Sequence, residues 1–425
     1  MNVHDSEQMT ELMRKDGYLK TDDVSKADLV IVNTCTIREK AQQKAYSQIG
    51  RFKQLKNIKP KLVIGVGGCL AQQLGKDLLN RAPYVDVIFG THNIHRLPDL
   101  VHRVEKNGIP QVQTAFLDKI KSLDILSVPD KGLASAYVTV MQGCNNYCAF
   151  CVVPYLRGGE ESREEKDIIK EIEILSAHEI KEVTLLGQNV NSYGKTLGNG
   201  ASFSKLLKAI GTIKGIERIR FTTSHPKDLT EDVIHCFAEV EALCEHIHLP
   251  VQSGSDAVLN RMNRGYTRND FLDKIKNLRK MSPSISITSD VIVGFPGETE
   301  KDFCDTLELM EIVRFDNLFS FKYSDRPGTA AAMFDEKVGD EVKSERLREL
   351  QAIQETYTLE KNKAFEGLIE EVLVEGKSKN AKEDLMGRTR TNRIVNFRGD
   401  EGLTGKIIPL RIMRAYLHSL RGELL

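Results

Sequence analysis

Ala136-Tyr137-Val138-Thr139-Val140-Met141-Gln142-Gly143-Cys144-Asn145-Asn146-Tyr147-Cys148-Ala149-Phe150-Cys151 joins an apolar run to three cysteines spaced Cys-x3-Cys-x2-Cys. The apolar run reads as a buried strand. The thiolates then lie on a loop just past its C-terminal end, where α/β folds place their chemistry. Three thiolates can hold three irons of a cubic 4Fe-4S cluster and leave the fourth iron without a protein ligand. An open position of that kind separates catalytic from structural metal sites. Zinc, or a disulfide with one spare thiol, are the alternatives. Structural zinc wants a further pair of Cys or His, and the next candidates are as distant as His178, Cys236 and Cys244. Disulfides suit secreted chains, whereas the polar start Met1-Asn2-Val3-His4-Asp5-Ser6-Glu7 is unlike a signal peptide.

On both sides of this run the chain alternates strand-like and helix-like segments. Upstream, 27–33, 61–67 and 85–90 are short apolar runs bounded by turn residues, as buried parallel strands are. The charged, periodic segment 38–56 supplies a crossover helix, so residues 1–105 read as a doubly wound sheet. Cys35 and Cys69 each follow one of these strands. Two cysteines at equivalent ends of neighbouring strands could meet at one metal site, or be ordinary buried cysteines. Residues 106–133 read as a linker, since 111–132 lacks periodicity. Downstream, candidate strands at 135–141, 182–187, 218–223, 246–251, 285–293 and 317–323 alternate with helices such as 163–178 and 301–313. Six βα units make a partial barrel, short of the eight of a full one, and this core domain is assigned 134–360. A charged helix at 340–363 leads to short β-like segments at 369–374, 394–397 and 406–412. Gly387, Gly399, Gly402 and Gly405 punctuate them, giving a small antiparallel barrel over 361–425.

Three polar motifs fall at strand ends in this core. They are Gly187-Gln188-Asn189-Val190-Asn191, His248-Leu249-Pro250-Val251-Gln252-Ser253-Gly254-Ser255 and Ser289-Asp290-Val291-Ile292-Val293-Gly294-Phe295-Pro296-Gly297-Glu298. Each sets amides, hydroxyls or carboxylates beside glycines that permit close backbone approach, a lining suited to a nucleoside with a charged tail. Ser162 can cap the helix that follows the cysteine loop, and a lone His225 reads as a satisfied structural group. Cys236, Cys244 and Cys304 lie on or beside helices and read as structural.

Composition bounds the rest. The 425 residues carry 40% apolar types and no net charge, which argues against a general nucleic-acid coat. Charge is uneven: 377–425 holds 11 Lys and Arg against 5 Asp and Glu, a net +6, leaving −6 for the remainder. A basic C-terminal module is a footprint for RNA, or simply a solvated basic surface. No run of eighteen apolar residues suggests a membrane span. Eight cysteines without a secretory signal fit a reducing cytoplasm.

The cysteine run resembles the defining motif of radical S-adenosylmethionine enzymes. Its extension, Val152-Val153-Pro154-Tyr155-Leu156-Arg157-Gly158, resembles the methylthiotransferase branch. So do Asn33-Thr34-Cys35-Thr36-Ile37-Arg38-Glu39-Lys40-Ala41, Gly65-Val66-Gly67-Gly68-Cys69, Phe221-Thr222-Thr223-Ser224-His225-Pro226 and Ser324-Asp325-Arg326-Pro327-Gly328-Thr329. The first of these favours the branch that acts on N6-isopentenyladenosine of tRNA over those acting on threonylcarbamoyladenosine or a ribosomal protein.

The resemblance implies a 4Fe-4S cluster on Cys144, Cys148 and Cys151 that reductively cleaves S-adenosylmethionine. It implies hydrogen abstraction from C2 of the modified adenosine beside the anticodon, presented out of its stack. A second 4Fe-4S cluster on Cys35, Cys69 and a further cysteine would supply sulfur, and another S-adenosylmethionine the methyl group. Gly187 and Gln188 would lie near the methionyl end of the cofactor, Gln252, Ser253 and Asp290 near its ribose, and Val293 and Pro296 near its adenine. The C-terminal barrel resembles an RNA-binding TRAM domain. A cytoplasmic monomer with a flavodoxin- or ferredoxin-type reductant is implied. The family's first strand ends in a Gly-Cys-Gln-Met-Asn run, and this chain starts at what resembles its Met-Asn. Taken literally, that start implies an impaired second cluster and little sulfur insertion. A non-catalytic iron–sulfur protein is the remaining class, disfavoured because ferredoxin-type sites use a fourth cysteine.

Overall fold

The upstream apolar runs form a parallel sheet in the order β1 (Leu29–Thr34), β2 (Val63–Gly68), β3 (Val87–Phe89) and β4 (Gln111–Gln113). The computed structural model of the chain describes residues 1–35, 39–117, 120, 132–378, 381 and 383–425. Side chains alternate across this sheet. Val63, Val87 and Phe89 meet Met9 and Met13 of the helix Asn2–Lys15 and Leu97 to Val104 of the helix Leu97–Asn107. Ile64, Val66 and Ile88 meet Ile49 of the helix Glu39–Ile58, together with Ala71 and Leu78. Helices therefore cover both faces, as a doubly wound parallel sheet requires. The segment expected to be linker opens with β4, paired to β3 from Val87↔Gln111 to Phe89↔Gln113. Three residues without alternation carried no strand signal. The rest of that linker lies largely outside the described residues.

The chain divides into two compact units. One comprises Met1–Val128, Met141–Asn145 and Cys151–Arg163; the other comprises Pro129–Val140, Asn146–Phe150 and Glu164–Leu425. The second unit holds six parallel strands in two three-stranded sheets. The first is β5 (Ser135–Thr139), β8 (Glu182–Leu186) and β9 (Arg218–Phe221); the second is β10 (His246–His248), β11 (Ser286–Val293) and β12 (Asn317–Lys322). Backbone bonds from Ile219 to Ala242 and from Cys244 to Ile219 join β9 to the approach of β10. This is the partial (βα)6 barrel. Thr267 and Thr299 open its helices Arg268–Met281 and Glu300–Val313 as capping boxes with Asp270 and Asp302.

In the first unit, β6 (Met141–Gln142) pairs antiparallel with β7 (Glu161–Ser162). Ser162 is thus a strand residue rather than a helix cap. The following helix starts at Glu165, with Glu164 at its N-cap.

The helix Asp340–Lys363 leads to a closed barrel of β13 (Ile369–Lys377), β14 (Asp384–Thr389), β15 (Ile394–Arg398), β17 (Leu420–Leu424) and β16 (Ile407–Ala415). It is antiparallel except at its closure, where β15 and β17 run parallel. Buried arginines lock it to β9 within the second unit. Fully buried Arg218 donates to Arg388 O at 2.7 Å and Glu371 O at 2.9 Å. Arg220 donates to Arg390 O, Thr389 O and Glu182 Oε2. Arg390 pairs with Glu245 and Arg393 with Asp316. Two of the basic residues expected on an RNA-facing surface are therefore interface anchors. No helix among the described residues is long and apolar enough to cross a membrane.

Candidate active site

Cys144, Cys148 and Cys151 sit on the loop between β6 and the short helix Val153–Arg157. Gly143 precedes it at φ +81°, and a Cβ there would lie 1.8 Å from Gly159 O. Only glycine fits that turn. The Cys144 N–H donates to Gly158 O, and Asn145 and Glu160 exchange backbone-to-side-chain bonds at 3.3 and 3.1 Å.

Cys148 belongs to the second unit and is buried there. Its Sγ accepts from Arg264 Nη1 at 3.3 Å and lies 3.9 Å from His225 Nε2. Burial, reinforced by the Arg264 charge, pushes His225 far below its ordinary pKa, so the ring is neutral. Tyr147 takes the left-handed region at φ +47°, held by Asn263 Nδ2 on its carbonyl at 3.0 Å. Ala149 bonds Met262 O, and Phe150 packs edge-on to Phe295. Asn146 donates to Asp228, which also accepts from Asn189 at 2.7 Å and Lys195 at 2.5 Å. Desolvation pushes Asp228 up, but these donors outweigh it and hold the carboxyl below its usual range.

The strand-end motifs of the second unit leave several buried polar atoms without partners. They are Asn189 Oδ1, both amide atoms of Asn191, Ser224 Oγ, Gln252 Oε1 and Asp290 Oδ1. The first four residues follow β8, β9 and β10, and Asp290 lies within β11 opposite Gln252. Unpaired buried polar atoms are costly and rare, so a cluster of them at the carboxyl ends of barrel strands marks a place for a polar ligand. Gln252 and Thr223 also hold the left-handed region, at φ +75° and +67°, as residues at ligand sites often do.

The other expected residues differ among themselves. Gly187 is buried and Gln188 partly exposed at the end of β8. Ser253 is buried, with its hydroxyl 3.4 Å from Thr306 Oγ1 and accepting from the Ser255 N–H, which makes it a turn brace. Asp290 faces His248 at 3.6 Å. Val293 ends β11 and Pro296 lies in the loop after it, both buried; Glu298 clamps that loop, accepting from the Gly294 N–H at 2.8 Å and pairing with Arg346.

In the first unit, the β1–β2 register ends at Thr34↔Gly68. Cys35 and Cys69 follow directly, so the two thiols stand at equivalent ends of neighbouring strands. Arg157, itself buried, donates to Asp5 Oδ2 at 2.7 Å, and its charge acts on the nearby Cys69 thiol. Burial pushes the Cys69 thiol up, and Arg157 opposes this only in part. None of the eight cysteines forms a disulfide among the described residues. Among the described residues no three His, Cys, Asp or Glu converge on a single ion; a cubane, by contrast, spreads its thiolates over separate iron corners. Arg264, Tyr266 and Asp228 carried no sequence signal, and Arg157 stood in the family string without a role, because the thiol and carboxylate partners of these residues lie elsewhere in the chain.

Comparison with known proteins completes the site. Residues 138–310 match the Radical SAM superfamily, 363–425 the TRAM domain and 1–90 the Uncharacterized protein family UPF0004. The tRNA-2-methylthio-N(6)-dimethylallyladenosine synthase of Syntrophus aciditrophicus (strain SB) is 59% identical over all of this chain and 92% of its own length. The enzyme so named in Geobacter metallireducens is 52% identical over all of this chain and 96% of its own length. The chain belongs to the tRNA-2-methylthio-N(6)-dimethylallyladenosine synthase family. It is a radical S-adenosylmethionine methylthiotransferase. Among solved structures, the radical S-adenosylmethionine methyltransferase TsrM from Kitasatospora setae, solved with cobalamin and a [4Fe-4S] cluster, aligns with TM-score 0.58 at 14% identity. That alignment covers 78% of this chain and 71% of that one, a likeness of fold.

Proposed function

We propose that this member of the family adds a methylthio group to C2 of N6-isopentenyladenosine beside the anticodon of tRNA. The observation that carries the reading is Cys148, buried beside Arg264 in the barrel unit whose strand-end motifs hold unpaired buried polar atoms. Cys144, Cys148 and Cys151 would hold a 4Fe-4S cluster. Together with S-adenosylmethionine it supplies the one-electron chemistry that activates C2. The residues present fit these groups: a buried thiol facing a cation suits a thiolate ligand, and Asn189, Asn191, Gln252 and Asp290 offer donors and acceptors to a nucleoside. Cys35 and Cys69 would supply two ligands of a second cluster.

On the C-terminal barrel, Lys406, Arg411 and Arg414 are exposed, and Arg414 stands 5.3 Å from the Tyr416 ring. A cation beside an exposed aromatic suits RNA backbone and bases. The domain division 1–105, 106–133, 134–360 and 361–425, a cytoplasmic site of action and a flavodoxin- or ferredoxin-type reductant belong to the same reading.

The test is mass spectrometry of tRNA nucleosides from a deletion strain. Loss of the methylthio group from isopentenyladenosine, restored by the gene, is expected. Unchanged tRNA would reject this substrate. 5′-Deoxyadenosine formation alongside an unchanged isopentenyladenosine profile would redirect the chemistry to threonylcarbamoyladenosine of tRNA, if that nucleoside changes, or to a protein, if no tRNA nucleoside does.

A further inference from the structure

We propose that Arg264 is a positioning residue that raises the reduction potential of the cluster held at Cys148 and fixes the loop carrying Gln252. The inference rests on the reading of the cysteine loop as a cluster site.

Arg264 is buried, and each of its three donor nitrogens has a different partner. Nη1 donates to Cys148 Sγ at 3.3 Å, Nη2 to Pro250 O at 2.8 Å, and Nε to Tyr266 Oη at 3.1 Å. Tyr266 in turn donates to Val251 O at 2.6 Å. Among the described residues no carboxylate forms an ion pair with Arg264. Of its partners, Pro250 O is neutral and burial keeps the Tyr266 phenol protonated, so the sulfur, once it ligates iron, is the partner that carries negative charge. Burial strengthens a charge-assisted bond of this kind.

Reduction adds one electron to the cluster, and the added negative charge spreads onto the thiolates. A fixed buried cation at one thiolate stabilises the reduced form more than the oxidised form. Hydrogen bonds and charge at the sulfurs are among the factors that set cluster potentials. The electron comes from a low-potential one-electron donor, and no proton moves.

The other two arms of the guanidinium act on the backbone. Pro250 O and Val251 O are held, directly or through Tyr266, just before Gln252. That residue has a left-handed backbone at φ +75° and an unpaired Oε1. One side chain therefore couples the thiolate to the strained turn that offers Gln252 to a ligand.

The test uses full-length, anaerobically reconstituted protein and EPR-monitored redox titration. R264M is expected to retain the triad cluster but to reduce about tenfold less favourably, a fall of about 59 mV for one electron. It should also bind S-adenosylmethionine about tenfold more weakly. Y266F keeps the guanidinium on Cys148, so it should titrate at the wild-type potential and lose only cofactor affinity. R264M that holds its cluster and titrates like the wild type would overturn the assignment. If R264M cannot retain iron, R264Q, which keeps donors without the charge, is judged on the same criterion. Failure of the underlying reading looks different: wild-type protein would hold the iron yet show no spectral response to S-adenosylmethionine.

Discussion

Cys148 and Cys69 are both buried thiols beside a buried arginine, and they differ in what else that arginine holds. Arg264 at Cys148 is otherwise bonded to a carbonyl and a phenol, both neutral. Arg157 at Cys69 is paired with Asp5 at 2.7 Å, both side chains about 5% exposed or less. The first arginine presents its positive charge to sulfur; the second is largely neutralised by its own carboxylate. A thiolate ligand of a cluster that must accept an electron gains from the first arrangement. Cys69 gains little net charge from its arginine, and its thiol stays pushed up by burial. A buried arginine beside a cysteine therefore has no fixed meaning: the third group decides whether it tunes charge or braces the fold.

The largest expected effect separates the two cysteines by function. Cys148→Ala should remove about four irons and abolish 5′-deoxyadenosine formation. Cys69→Ala should leave that formation within about twofold while abolishing the methylthio product. Iron analysis and product assay check both, and loss of 5′-deoxyadenosine in Cys69→Ala would break the separation.

Arg157→Met comes next. It strands a buried carboxylate at Asp5 and should cost about 3–5 kcal/mol, read by hydrogen exchange in β1 to β3. The double variant Asp5→Asn/Arg157→Met should recover most of that loss. A double variant as unstable as the single one would show that Arg157 acts through packing alone.

The two cysteines also share a device. Gly68 before Cys69 has φ +90°, and Gly143 before Cys144 has φ +81°. A Cβ would lie 2.3 Å from Thr34 O at the first and 1.8 Å from Gly159 O at the second. Each Gly→Ala change should cost at least the roughly 1–2 kcal/mol of a left-handed alanine. Iron retention should fall at the corresponding site only, and equal loss at both sites in either variant would contradict this.

Lys195→Ala is the smallest effect expected. The Lys195 side chain is 58% exposed, and Asp228 keeps Asn189 and Asn146 as donors. A change under about 1 kcal/mol in thermal or denaturant stability is expected. A larger loss would make Lys195 part of the scaffold around the cysteine loop.

Much of the fold was legible. The six core strands and the helix Asp340–Lys363 appear where apolar runs and charge periodicity placed them, since burial on both faces writes a continuous apolar run into the sequence. β14 and β17 were missed: Leu420-Arg421-Gly422-Glu423-Leu424 carries a glycine and two charges in five residues. Their strand character comes from barrel closure rather than propensity. At the site, the asparagines and Gln252 were legible as polar residues after strands, and Asp290 as a polar residue within one. That Ser253 braces Thr306 while Gln252 remains unpaired was not, because both are equally polar in the sequence.

The sequence by itself determined the cysteine triad, the alternation of strands and helices, and the placing of Cys35 and Cys69 at strand ends, all local in spacing or period. Only the tertiary structure decided which charges those thiols meet. Arg264 reaches Cys148 across 116 residues, and Arg157 reaches Asp5 across 152. The same holds for the basic C-terminal module, where Arg390 and Arg393 are interface anchors and Lys406, Arg411 and Arg414 are exposed. A charge has the same formal value wherever it stands in the sequence. Its effect depends on burial and on the nearest opposite charge, and both are set by the packing of distant segments.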